Sequence, residues 1–122
     1  MEELEKEVSE VSYDELNQVA MQIILKAGDA RNEIQQAVAA AKKGDFKQAD
    51  ELALQAKESI RQSHVIHTQM ISKEARGDVK IIPTLLFNHA QDTLMTINSE
   101  CNLSMDIIDL CRIIYKKEKK DE

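Results

Sequence analysis

Apolar residues recur along this chain at spacings of three and four in three long runs, the period of one face of an α-helix. The first run is Leu16, Val19, Ile23, Ala27, Ala30, Ile34, Ala37 and Ala41, and the second is Ala49, Leu52, Ala56, Ile60, Ser63, His67 and Met70. The third is Leu86, Ala90, Thr93, Ile97, Cys101, Ser104, Ile108, Cys111 and Tyr115. No stretch alternates with a period of two, so no strand is predicted. End signals bound the runs: Ser12 with Glu15 reads as a capping box, Gly44 as a helix C-terminus, and Asp45 with Gln48 as the next N-cap. Arg76, Gly77 and Asp78 break the second run, and Pro83 suits a first helical turn. The predicted helices are therefore 13–43, 46–75 and 83–117.

Three helices of about 30 residues, each roughly 45 Å long and joined by short links, predict an all-α, antiparallel, up-down-up three-helix bundle. Residues 12–122 form its single domain, and the charged, aperiodic residues 1–11 form a flexible tail. Gly28, inside the first helix, predicts a tight helix crossing. The third helix carries a second seam about 100° round its axis: Leu85, His89, Asp92, Thr96, Ser99, Leu103, Asp106, Leu110 and Ile113. A helix with two apolar faces has partners on both sides, so this one is expected to pack within its own chain and against other copies of it.

Composition narrows the class. With 122 residues the chain is one domain with a modest core, and no Trp, three Gly, one Pro and 3% aromatic residues suit a helical bundle. The net charge of −6 disfavours nucleic acid and anionic membranes as partners. No apolar run reaches membrane-spanning length, and the opening MEELEKEVSE is acidic where a signal peptide is basic, so a cytoplasmic location is expected. Cys101 and Cys111, without metal or redox spacing, read as small core residues.

The candidate chemistry sits in the second seam, where His89 and Asp92 interrupt it. Taken alone, such a pair on a helix is ordinarily solvated surface or a satisfied core histidine. His64 and His67, three apart without a nearby Cys or acid, make a weak metal signal. The segment HAQDTLMT at 89–96 resembles the phosphorylation-site motif HxQDHLMT of the lactose- and cellobiose-type enzyme IIA subunits of the bacterial phosphoenolpyruvate-dependent sugar phosphotransferase system. AGDAR at 27–31, GDF at 44–46, and His64 with Thr68 follow in that family's order, so the resemblance spans nearly the whole chain.

The resemblance implies a homotrimer in which His89 accepts a phosphoryl group from the phosphocarrier HPr and passes it to a cysteine of a IIB subunit, which serves the membrane IIC permease. The sugar implied is a disaccharide such as lactose, cellobiose or chitobiose. It also implies a magnesium-type divalent ion held by three copies of Asp92, since carboxylates meeting on a threefold axis repel unless a cation or a shared proton intervenes. Gln91, Thr93, His67 and His64 are the expected phosphate environment, and Leu85, Leu86 and Phe87 the expected apolar contacts for HPr. The chain departs from the family pattern at Thr93, usually histidine, and at His67, usually glutamine. Thr93 keeps a hydrogen-bonding hydroxyl but carries no charge, and His67 is expected to take over part of that role. The competing class is an adaptor bundle whose helices are purely an interaction surface.

Overall fold

The computed structural model describes residues 8–121, which form three long helices, α1 (Tyr13–Lys42), α2 (Phe46–Ala75) and α3 (Leu85–Lys120), and two short strands, β1 (Ser9–Glu10) and β2 (Val79–Lys80). Each helix starts on a side-chain cap. The side chains of Ser12, Asp45 and Thr84 accept from the backbone N–H of Glu15, Gln48 and Phe87, satisfying donors that the first helical turn leaves free. Helices α1 and α2 end alike. Gly44 (φ 81°) and Gly77 (φ 78°) take the left-handed conformation, Asp45 N donates to Ala40 O at 3.0 Å, and Asp78 N donates to Lys73 O at 2.9 Å. Both ends are Schellman motifs, which reverse the chain within three residues.

Two expectations about the ends are corrected. Pro83 does not open α3; Thr84 caps it from an extended conformation (φ −94°, ψ 158°), so the helix begins at Leu85 and continues to Lys120. The final turn carries Lys117, Lys119 and Lys120, cations that suit the negative end of the helix dipole. The expectation of no strand is also overturned, because Ser9 and Glu10 pair in parallel with Val79 and Lys80, and Val11 N donates to Lys80 O at 2.9 Å. A two-residue pairing is too short to leave a period in the sequence. Of the expected flexible tail, residues 1–7 lie outside the described residues, while β1 and the buried Val11 are tied to the bundle.

The core is built on α1. Its inward stripe is Leu16, Ala20, Ile23, Ala27, Ala30, Ile34, Ala37 and Ala41, and the five alanines keep the neighbouring helices close. Ala49, Leu52, Ala56, Ile60 and Met70 of α2 face it, and Ser63, the one buried polar side chain among the described residues, donates to Ile23 O at 2.9 Å. The inward stripe of α3 is Phe87, Ala90, Leu94, Ile97, Cys101 and Ile108. It departs from the expected seam, taking in Phe87 and Leu94 while Leu86, Thr93, Ser104 and Cys111 are only half-buried and Tyr115 is exposed, because α3 packs chiefly on α1 and only lightly on α2.

Side-chain contacts set the heights. Thr84 Oγ1 donates to Asn17 Oδ1 at 2.8 Å, and Arg31 holds Glu100 through two bonds of 2.9 and 2.8 Å, so residue numbers rise together along α1 and α3. Along α2 they run the other way, since His67 meets Gln91 and Asp50 meets Arg112. At the end remote from His89, Arg112 lies 4.9 Å over the Phe46 ring, which meets Tyr115 edge-on at 5.4 Å.

The expected tight crossing at Gly28 is absent: the residue is exposed, and a Cβ placed there meets nothing within 4 Å. At Gly44, by contrast, a Cβ falls 2.9 Å from Tyr115 Cε2 on a left-handed backbone. In urea denaturation Gly28→Ala is expected to stabilise by up to about 1 kcal/mol, as a helix-interior glycine replaced by alanine does. Gly44→Ala is expected to cost about 1–2 kcal/mol.

Candidate functional site

The capped start of α3 positions the candidate residues. Thr84 both accepts from Phe87 N at 3.1 Å and donates to Asn17 of α1, so the turn leading into His89 is fixed to the bundle at its first residue. Phe87, pointing inward at 2% exposure, anchors the same turn. His89 is therefore held outward on an ordered helix; it is exposed and makes no hydrogen bond among the described residues. An exposed imidazole with an unengaged ring nitrogen is free to act as a nucleophile near neutral pH.

Asp92 stands one turn further along the same face and is likewise exposed, and Thr93, four residues on, is half-buried. Spacings of three and four make these two the helical neighbours of His89. Gln91 does not share that face. Two residues correspond to about 200° of helical turn, and Gln91 is turned toward α2, where its Oε1 lies 2.8 Å from Nε2 of His67. The His67 ring is stacked on Phe87, with centroids 6.0 Å apart and planes 22° from parallel. His64 points elsewhere, bonding Thr68 Oγ1 through Nδ1 at 3.0 Å on an exposed part of α2. One chain thus brings His89, Asp92 and Thr93 together on one side of α3, and His67 with Gln91 on the other.

The outer face of α3 carries Leu85 at 87% exposure and Leu103 and Ile113 at 62%, and nothing among the described residues covers them. The expected apolar trio for HPr is corrected at Phe87, which belongs to the core, while Leu85 remains outside and Leu86 is half-buried. Spacing could have revealed this, because Phe87 stands three and seven residues before Ala90 and Leu94, both buried. Among the described residues of one chain, no group of three or more His, Cys, Asp or Glu side chains is arranged to hold a metal ion. Among them, too, no helix is long and apolar enough to cross a membrane.

The family profile for the lactose/cellobiose-specific IIA subunit of the phosphotransferase system matches residues 18–112. The chain belongs to that family. It is 38% identical over 97 residues to the lichenan-specific phosphotransferase enzyme IIA component of Bacillus subtilis, covering 80% of this chain and 87% of that protein. The crystal structure of the cellobiose-specific enzyme IIA of Bacillus anthracis superposes with a TM-score of 0.79 at 36% identity, over 88% of this chain and 95% of that one. A IIA(Chitobiose) chain, solved in solution in complex with HPr from the Escherichia coli N,N'-diacetylchitobiose branch, gives a TM-score of 0.69 at 30% identity, over 82% and 96% of the two chains.

In this IIA chain, the cap that holds the His89 turn is open to test. Thr84→Ala is expected to cost about 1 kcal/mol, the usual loss for an N-cap. Amide hydrogen exchange at Phe87 and Asn88 is expected to quicken while the middle of α3 keeps its protection.

Proposed function

We propose that this IIA subunit is a cytoplasmic phosphocarrier that accepts a phosphoryl group on His89 from phospho-HPr and passes it to a IIB subunit. It would thereby serve uptake and phosphorylation of a disaccharide such as lactose or cellobiose through a membrane IIC permease. The observation that carries this reading is His89, exposed and without a hydrogen-bond partner among the described residues, on a capped helix in a chain of this family. The HPr complex of the related chitobiose IIA supports the choice of donor. In the first step a ring nitrogen of His89 attacks phosphorus, forming one N–P bond as the bond to HPr breaks. In the second, the thiolate of a IIB cysteine takes the group and the imidazole returns to its starting state. Such transfers need chiefly alignment and charge balance from the protein.

The contact heights support an up-down-up order, and the uncovered apolar residues of α3 support a homotrimer packed along that face. Thr93 is the same-chain hydroxyl on the His89 side. Gln91, turned to the opposite flank, would serve the histidine of an adjoining copy. Asp92 fits a magnesium-type ion by chemistry, being an exposed hard-oxygen donor; one chain supplies a single such ligand, so three copies and water would complete the shell. The ion would offset charge between the copies.

Two outcomes are expected. With phosphoenolpyruvate, enzyme I and HPr, the wild type acquires one acid-labile phosphate and His89→Ala none, with helical content unchanged; no label on the wild type would favour the adaptor class, and residual label on the variant would point to His64 or His67. In sedimentation the wild type runs at about 41 kDa, three times the 13.8 kDa chain. EDTA weakens that assembly but leaves Asp92→Leu unaffected, and an EDTA effect on neither protein would remove Asp92 as a ligand.

A further inference from the structure

His67 lies on the wrong flank of α3 to act on the phosphoryl group of its own chain, yet its surroundings are specific. Its Nε2 stands 2.8 Å from Gln91 Oε1, and its ring is stacked on Phe87, itself fixed in the core at 2% exposure. An amide oxygen only accepts, so this bond requires the proton on Nε2 of the imidazole. With Oε1 engaged, the amide nitrogen of Gln91, which has two N–H groups, makes no hydrogen bond among the described residues. Without the imidazole donor nothing would fix the amide, and a flipped amide would present oxygen where a donor is wanted.

We propose that His67 is a positioning residue for phosphoryl transfer: by donating to Gln91 Oε1 it locks the Gln91 amide with its N–H donors free for phosphoryl oxygens. The inference rests on the carrier reading given above, with Gln91 serving the histidine of an adjoining copy in the proposed homotrimer, and deepens it. His67 itself touches neither phosphorus nor its oxygens. It acts through Gln91, and an anion bound to those N–H groups would be met by donors already oriented, without the entropy cost of ordering them. Phe87 contributes by holding the ring plane.

The test follows transfer from phospho-HPr by rapid quench in the wild type and four variants. His67→Phe keeps an aromatic ring on Phe87 and removes the donor; it is expected to slow transfer roughly five- to tenfold, the worth of one oriented hydrogen bond. Affinity for unphosphorylated HPr should stay unchanged. His67→Gln, whose amide nitrogen has nearly the reach of Nε2, is expected to restore the rate. Gln91→Met should be slow by itself, and adding His67→Phe to it should cost nothing further, because the two residues act as one unit. A wild-type rate in His67→Phe, a failure of His67→Gln to rescue, or additive losses in the double variant would each overturn the proposal. A wild type that takes no phosphate at all would instead overturn the carrier reading. If His67→Phe does not fold, equal rates for Gln91→Met and the wild type overturn the proposal on their own.

Discussion

The bundle depends on the close approach of helices along the alanine stripe of α1. Ala20, Ala27, Ala30, Ala37 and Ala41 are all at least 97% buried, and their short side chains let α2 and α3 both lie against one helix. That arrangement uses one stripe of α3 and leaves the rest of its circumference outside. Enlarging these alanines would push α2 or α3 outward and displace what is mounted on them. The candidate functional side chains are thus placed by residues that carry no chemistry themselves.

Helical geometry then divides the candidate site. Phe87, Ala90 and Leu94 face inward, so His89 and Asp92 must face outward, and Gln91 must turn toward α2. The Thr84 cap and its bond to Asn17 keep this division from drifting, since a free helix start would fray through the turn just before His89. Within one chain the proposed acceptor His89 and the Gln91 amide are kept apart. The uncovered leucines and isoleucine along the outer face of α3 are the physical reason to expect another copy there.

Much of this was legible in the sequence because helices write their period into it. The caps at Ser12 and Asp45, the glycine ends, and most of the buried positions of α1 and α2 follow from spacing and from side-chain chemistry. What failed to show has physical causes. The β1–β2 pairing joins residues distant in sequence over two positions, and Gly28 carries no mark that distinguishes a close crossing from open solvent. The His67–Gln91 bond did not show, since the sequence put both residues in one expected phosphate environment and could not say which flank of α3 either one occupies. His89 itself stood out through its motif, and the structure adds that it is exposed, without a hydrogen-bond partner among the described residues.

The central claim is that His89, on the open face of α3, is the phosphoryl acceptor. The most direct measurement is nuclear magnetic resonance of the ring-nitrogen-labelled protein after reaction with phosphoenolpyruvate, enzyme I and HPr. The account predicts a single phosphoramidate phosphorus coupled to a ring nitrogen of His89, with the nitrogens of His64 and His67 unchanged. A coupling to either of those residues, or no phosphoramidate under conditions in which HPr itself is phosphorylated, would contradict it.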